Sequence, residues 1–140
     1  TMKVFPEADV AILCAAVADY RPESQAIEKI KRENNGDMLL PLVRNMDIAE
    51  ALGKEKQENQ LLIGFALETN DAVEHAKDKL KRKNLDFIVL NSLENKGAGF
   101  QYDTNKISII DRLGEVADFP LKSKREVAFD IVNKMITLFK

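Results

Sequence analysis

The sequence is poor in the residues that build disulfide frameworks, metal sites and membrane spans. It contains one cysteine (Cys14), one histidine (His75) and no tryptophan. A single cysteine excludes an intrachain disulfide and favours a reducing, cytoplasmic setting, and we interpret Cys14 as a small apolar strand residue. His75 has no second histidine or cysteine on its predicted helix with which to share a metal, so we predict no protein metal site. No apolar run reaches the length that spans a membrane.

Charge of one sign is also lacking. The chain has 21 basic and 23 acidic residues, which gives a net charge of −2. Such a balance provides no overall surface for a polyanion and argues against a nucleic-acid-binding protein. No G-x-G-x-x-G motif follows any predicted strand, so a dinucleotide-dependent oxidoreductase is disfavoured. At 140 residues the chain is long enough for one domain with its own core.

The pattern of apolar residues alternates between the period of strands and that of helices. This alternation is typical of an α/β sheet with helices packed on it. A helix is predicted over the segment that repeats Ala72, Val73, Ala76 and Leu80. We predict strands at residues 10–17, 37–43, 61–66, 86–91, 106–110 and 115–119, the last two being joined by a turn at Leu113-Gly114.

A basic segment precedes the second predicted strand. Asn35-Gly36 is a strong hairpin-turn signal, so Ile27–Glu33 is expected to pair with Asp37–Val43 as a lysine-rich arm. Two helix starts follow further along the chain. Asn45 is predicted to cap a short helix that has Met46 and Asp47 in its first turn, and Ser123 with Glu126 matches a capping box. The free N–H groups of a helix N-terminus can hold phosphates.

Several literal segments resemble one enzyme family. Ala15–Pro22 reads AAVADYRP and Glu28–Arg32 reads EKIKR, similar to the "AAVADYRP" and "KIKK" signatures of phosphopantothenoylcysteine synthetases. Asn45–Ile48 resembles their "NPDI", Gly64–Thr69 their "GFAAET" and Lys83–Asn91 their "KNLDLIVAND", in the same order. The resemblance covers most of the chain from Ala8 onward. The departures are Met46 for proline, Leu67 for alanine and Arg32 for lysine, none of which deletes a functional group.

The resemblance implies a Rossmann-like three-layer α/β fold with the lysine-rich hairpin arm. Residues 1–140 would be the C-terminal part of a CTP-binding synthetase domain. Family members begin this domain about half a domain earlier, with a glycine-rich loop and a catalytic asparagine. We expect this chain to lack that N-terminal part of the domain, and therefore to bind CTP weakly and to be inactive in isolation.

The implied reaction joins 4'-phosphopantothenate to cysteine in coenzyme A biosynthesis. CTP activates the carboxylate as an acyl-cytidylate, and the cysteine amine then displaces CMP. Mg²⁺ is expected to accompany the nucleotide. The intact enzyme is expected to be a cytoplasmic homodimer, with a possible fusion to a flavin-dependent decarboxylase domain, and to bind neither nucleic acid nor membrane.

The motifs also assign individual residues. Lys29 would be the catalytic lysine that closes over the activated intermediate and neutralises developing phosphate charge. The implied nucleotide contacts are Leu13, Cys14, Ala15, Asp19, Lys29, Met46, Asp47, Ile48, Ala49, Phe65, Lys79 and Lys83.

Structural interpretations remain open beside these roles. Ile27–Arg32 could be a solvated edge hairpin protected by its lysines. Lys77–Lys83 contains five basic residues, and such runs are usually solvated surface. Phe65 could equally be a core aromatic. The alternative function is a non-catalytic nucleotide-binding or dimerisation module of the same fold.

Overall fold

The computed structural model describes residues 1–30, 38–68, 71–92 and 102–139. The chain divides into two compact units, Thr1–Cys14 with Ile48–Lys140, and Ala15–Asp47. We call the first the sheet unit and the second the hairpin unit. Among the described residues, no helix is both long and apolar enough to cross a membrane.

Nine strands and three α-helices are present in the described residues. The strands are β1 (Val10–Leu13), β2 (Tyr20–Pro22), β3 (Leu42–Arg44), β4 (Leu61–Glu68), β5 (Phe87–Ser92), β6 (Thr104–Asn105), β7 (Ile107–Asp111), β8 (Val116–Asp118) and β9 (Lys122–Ser123). The helices are α1 (Ile48–Glu55), α2 (Ala72–Arg82) and α3 (Lys124–Ile136). A single 3-10 turn, Phe5–Glu7, precedes β1.

The sheet unit is organised by one five-stranded sheet in the order β1-β4-β5-β7-β8. β1, β4 and β5 run parallel, whereas β7 and β8 are antiparallel to their neighbours. A strand covered on both faces is apolar almost throughout. β4 follows this rule, since Leu61, Leu62 and Ile63 are all buried. The predicted α/β fold class is therefore confirmed. In the central sheet, β4 is parallel to both of its neighbours, β1 and β5.

Two apolar cores lie on opposite faces of this sheet. One contains Leu62 and Ile88 of the strands with Leu52 of α1 and Leu80 of α2. The other contains alternate strand residues such as Ile63 and Val89, packed with Val127 and Ile131 of α3. The alternation of neighbouring strand residues between the two cores produces three layers.

The predicted helix and turn signals of the sheet unit are confirmed. α2 buries Ala76 and Leu80, two members of the predicted helical repeat. Ser123 caps α3 through a capping box with Glu126. Gly114 adopts a positive φ of 80° in the turn between β7 and β8, a conformation that glycine accepts without steric cost.

The first strand is shorter and less buried than predicted. β1 ends at Leu13, which pairs with Gly64, and Val17 is 60% exposed outside the sheet. β1 is an edge strand with β4 as its neighbour, so its residues are only partly covered. The prediction of a buried strand to Val17 is wrong because the apolar run continues after the chain has left the sheet.

The pairing inside the hairpin unit also differs from the prediction. β3 pairs antiparallel with β2, and Arg21 lies opposite Val43. The described part of the expected partner, residues 27–30, forms no strand, while the Asn35-Gly36 turn lies outside the described residues. Residues 27–30, the described part of the lysine-rich segment, therefore lie in the connection between β2 and β3 and are not part of either strand.

Asn45 does not cap a helix. Its Nδ2 donates to the backbone oxygen of Ala18 at 2.7 Å, and its Oδ1 accepts from Nη1 of Arg21 at 3.0 Å. These long-range partners occupy the amide that was expected to receive helix N–H groups. Helix α1 begins later, at Ile48, so Met46 and Asp47 precede it instead of forming its first turn.

Candidate functional site

Three parallel strands end at the same side of the sheet. β1 ends at Leu13, β4 at Glu68 and β5 at Ser92. We call this side the carboxyl edge. Open α/β sheets bind ligands in the crevice beyond such strand ends, so the side chains at this edge are the first candidates for a site.

Phe65 presents an aromatic ring near the carboxyl edge. β1 ends opposite Gly64, so Leu13 and Cys14 leave the sheet beside the residue that carries this ring. Ile63, two residues earlier on the same face of β4, is fully buried, whereas Phe65 is 37% exposed and Leu67 is 38% exposed. A half-exposed ring at a strand end can stack against a planar ligand such as a nucleobase.

The side chain of Asn91 lies on the same face of the sheet as Phe65 and Leu67. Asn91 pairs with Leu67 across β4 and β5, so the two side chains lie on the same face of the sheet. Asn91 Oδ1 is buried and accepts no hydrogen bond in the part of the chain that the structure describes. A buried acceptor without a donor is unfavourable, and a ligand N–H group would satisfy it.

Lys79 reaches the carboxyl edge from α2. Its ammonium forms an ion pair with Glu68, whose other oxygen lies 3.7 Å from Nδ1 of His75. Glu68 is 17% exposed and Lys79 36% exposed at the side chain. Lys83 lies one turn further along, where it caps the C-terminus of α2 through its backbone N–H. Glu68 thus ties the Lys79 ammonium to the carboxyl edge.

The start of α1 supplies backbone groups. Ile48 and Ala49 are the first residues of this eight-residue helix and are partly buried. Met46 and Asp47 lie in the preceding segment, and Met46 is 67% exposed. The first N–H groups of a helix lack intrahelical acceptors, so those of Ile48 and Ala49 have no partner inside the helix.

The remaining predicted residues belong to the hairpin unit. Ala15, Asp19 and Lys29 are exposed there. The Asp19 backbone oxygen accepts a hydrogen bond of 2.8 Å from the Asn45 N–H. A hydrogen bond with Tyr20 and, more weakly, the Asp19 charge raise the pKa of the Arg44 guanidinium. Asp19 lies beyond the first strand, immediately before β2.

Two residues of the carboxyl edge were not among the predicted site residues. Glu68 was passed over because an isolated glutamate at a strand end gives no local signal of its partner eleven residues later. Asn91 was recognised only as the end of a strand. A polar residue that ends an otherwise apolar strand is the signal that could have identified both.

The chain matches the family model described as the DNA/pantothenate metabolism flavoprotein C-terminal domain, over residues 1–138. It is 41% identical over 139 residues to the Coenzyme A biosynthesis bifunctional protein CoaBC of Bacillus subtilis (strain 168), covering 99% of this chain and 34% of that protein. It is 54% identical over 138 residues to a protein of an unknown prokaryotic organism named Cysteine/Cysteine sulfinic acid decarboxylase, covering 99% of this chain and 38% of that protein.

A solved structure agrees with this match. The crystal structure of the C-terminal domain of a CoaBC protein has a TM-score of 0.74 and 39% identity, covering 98% of this chain and 60% of that chain. The chain spans roughly a third of the length of the curated relatives that it matches. The resemblance found in the sequence is confirmed, and the chain belongs to the DNA/pantothenate metabolism flavoprotein C-terminal domain family.

Proposed function

We propose that this chain is the CTP-binding part of a phosphopantothenate–cysteine ligase. The observation that carries the proposal is the set of groups at the carboxyl edge. The exposed ring of Phe65 and the Asn91 oxygen, which has no donor among the described residues, lie on one face of the sheet, and the Lys79 ammonium reaches the same edge from the face that α2 covers. A ring, a hydrogen-bond acceptor and a cation are the complements of a nucleobase and its phosphates. Identity to CoaBC proteins supports the same function.

The reaction requires two displacements. A carboxylate oxygen of 4'-phosphopantothenate attacks the α-phosphorus of CTP, and the bond to pyrophosphate breaks. The amine of cysteine then attacks the acyl carbon, CMP leaves with the electron pair of the broken bond, and the amine loses a proton. Both steps gather negative charge on phosphate oxygens, so fixed positive groups stabilise their transition states.

Individual residues are suited to parts of this reaction. Phe65 stacks on the base, while the backbone N–H groups of Ile48 and Ala49 donate to the nucleotide. Lys79 and Lys83 neutralise the polyphosphate, and Lys29 neutralises the activated intermediate. Leu13, Cys14, Ala15, Asp19, Met46 and Asp47 complete the proposed contacts.

Mg²⁺ is proposed as the counter-ion of the triphosphate. The described residues contain no group of three or more His, Cys, Asp or Glu side chains that could hold a metal ion. The described residues therefore do not fit an all-protein magnesium cage. Phosphate oxygens and water commonly complete the coordination of this ion. A homodimer fused to a flavin-dependent decarboxylase, working in the cytoplasm, remains part of the proposal, and the bifunctional CoaBC name supports the fusion.

The direct test is pyrophosphate release by the full gene product that contains this sequence. With 4'-phosphopantothenate, cysteine, Mg²⁺ and CTP, we expect stoichiometric pyrophosphate and amide. Lys29→Gln should lower kcat by about 100-fold or more, because a charge that acts in the transition state is lost. Lys3→Gln, which changes an exposed lysine of the sheet unit, serves as the matched control.

One outcome would contradict the proposal, and another would contradict only the role of Lys29. CTP binding without pyrophosphate release would favour the alternative, a non-catalytic nucleotide-binding or dimerisation module. Activity of Lys29→Gln within a few-fold of wild type would remove Lys29 from the mechanism while leaving the ligase assignment intact.

A further inference from the structure

Glu68 stands out at the carboxyl edge as an acidic side chain in a region proposed to bind a polyanion. It is the last residue of β4 and its side chain is only 17% exposed. One carboxylate oxygen accepts a hydrogen bond from the Lys79 ammonium, and the other lies 3.7 Å from Nδ1 of His75. An unpaired carboxylate so close to a triphosphate would repel it, but the Glu68 carboxylate is paired with the Lys79 ammonium.

The course of the chain explains how Glu68 meets Lys79. α2 starts at Ala72, close after the end of β4, and then packs back along β4 and β5. Side chains on a helix lean towards its N-terminus, so the side chain of Lys79 is directed back towards the carboxyl edge. Glu68 lies on the same face of β4 as Ala66, which belongs to the core that α2 covers. The ion pair thus joins the end of the strand to the second turn of the helix.

We propose that Glu68 is a positioning residue that holds the Lys79 ammonium at the carboxyl edge for the nucleotide phosphates. This inference rests on the proposed function, because it requires that Lys79 binds the polyphosphate. Nothing in the family resemblance assigns this glutamate a role. Lys79 itself remains the contacting group, and Glu68 acts through it.

The physical advantage is preorganisation. A lysine side chain has four rotatable bonds and loses much of that freedom when it is fixed against a phosphate. An ion pair already in place reduces the freedom that remains to be lost on binding, which improves affinity without a new contact. An ammonium carries three N–H donors, so Lys79 can keep its hydrogen bond to Glu68 and still donate to a phosphate oxygen.

A second side chain, that of His75, also lies near Glu68. The exposed imidazole of His75 has its Nδ1 3.7 Å from the second carboxylate oxygen. Glu74, on the same helix, pairs instead with Lys77 at 3.7 Å and is 75% exposed. α2 therefore contributes to two ion pairs. The pair of Lys79 with Glu68 is partly buried at the carboxyl edge, and the exposed pair of Lys77 with Glu74 provides a control for substitutions.

The test uses the full gene product and four variants, Glu68→Ala, Glu68→Gln, Lys79→Met and the double variant Glu68→Ala with Lys79→Met. Glu68→Ala should raise the KM for CTP by about five- to tenfold, as expected when one flexible side chain must be ordered on binding. The KM for cysteine should not change. Glu68→Gln keeps an acceptor for Lys79 and should show a smaller rise.

The double variant separates positioning from direct repulsion or stability. If Glu68 acts through Lys79, then Glu68→Ala should have no further effect on the KM for CTP once Lys79 is methionine. Glu74→Ala should leave this KM at the wild-type value. Melting temperatures report whether each variant folds. If Glu68→Ala does not fold, the KM for CTP of Glu68→Gln tests the same role.

Three results would overturn the inference. An unchanged or lower KM for CTP in Glu68→Ala would show that the carboxylate does not prepare the site. Equal effects of Glu68→Ala with and without Lys79 would show that it acts independently of the lysine. Failure of the wild-type protein to use CTP would overturn the proposed function as well, which distinguishes that case from the other two.

Discussion

The side-chain amide of Asn45 donates a hydrogen bond of 2.7 Å to the backbone oxygen of Ala18. The backbone N–H of Asn45 donates to Asp19, so the residue that follows β3 is tied to the residues that precede β2. The two-stranded pairing of the hairpin unit is thereby closed by a side chain as well as by its own backbone.

Replacing Asn45 should loosen this hairpin without affecting the large sheet. In Asn45→Ala the lost hydrogen bonds should lower the free energy of local opening by about 1 kcal/mol, which corresponds to about fivefold faster amide exchange in β2 and β3. Hydrogen exchange read residue by residue measures this change, and β4 and β5 should retain their protection. Asn133→Ala on the exposed surface of α3 is the matched control. Unchanged exchange in β2 and β3 would contradict the role of Asn45.

A second prediction concerns the buried ion pair of Lys56 and Asp86. Asp86 Oδ2 accepts from Lys56 at 2.8 Å and from the Leu62 N–H at 2.7 Å, and the Lys56 side chain is only 5% exposed. Burial lowers the pKa of Lys56, although the hydrogen bond with Asp86 opposes this shift. Removing the carboxylate leaves a buried charge without its partner.

Asp86→Asn should therefore lower the free energy of unfolding by about 3–5 kcal/mol. Urea unfolding measures this loss, and adding Lys56→Met should recover part of it because the unpaired charge is removed as well. Lys54→Met is the control, since Lys54 is 73% exposed in its pair with Glu50 and should contribute about 0.5 kcal/mol or less. If Lys54→Met lowered the free energy of unfolding as much as Asp86→Asn does, burial would not explain the larger loss expected for Asp86→Asn.

A third prediction concerns acid stability. Burial raises the pKa of Asp111, but hydrogen bonds from Lys134 and from the backbone of Glu115 and Leu113 outweigh it, so the pKa lies below its ordinary value. A carboxyl group with a lowered pKa in the fold stabilises it above the pKa of the unfolded chain, about 3.9. That contribution is lost as the pH falls through the lower value of the fold.

Asp111→Asn should thus cost about 1–2 kcal/mol at neutral pH, and the difference from wild type should shrink below about pH 4. Unfolding measured across this pH range tests the expectation. Asp78→Asn, at an exposed position on α2, should cost little at any pH. A difference between Asp111→Asn and wild type that does not change with pH would contradict the assignment.

A fourth prediction concerns Gly53 in α1. A Cβ atom added there would lie 2.0 Å from the backbone oxygen of Lys83, a contact that a backbone group cannot avoid by rotating. Gly53→Ala should lower the free energy of unfolding by about 3 kcal/mol or more, despite the better helix propensity of alanine. Thermal unfolding measures the loss. A stabilised variant would show that α1 and the end of α2 are not in such close contact.

The sequence predicted the parts of the fold that local patterns determine. The strand of Leu61–Glu68, the helix that buries Ala76 and Leu80, and the capping box of Ser123 each depend on neighbouring residues, so periodicity and cap chemistry are sufficient to find them. Leu113-Gly114 was found as a turn for the same reason.

The long-range relationships were less predictable. Asn45 is chemically suited to a helix cap, but its amide is used by Ala18 and Arg21, which are far away in the sequence. The pairing of β2 with β3 was missed because the closer turn signal favoured another partner. The candidate site depended on resemblance for Lys79, whereas Glu68 became visible only when the fold brought it to that lysine.

The central claim is that the carboxyl edge of the sheet unit binds a nucleotide. The most direct test is a titration of the isotope-labelled chain with CTP and Mg²⁺, followed by the amide chemical shifts in nuclear magnetic resonance spectra. We predict saturable shifts at Cys14, Ile48, Phe65 and Asn91, and none at Gln60 or Leu113 near the opposite ends of the strands. Shifts concentrated at Gln60 and Leu113, or no shifts at millimolar CTP, would contradict this account.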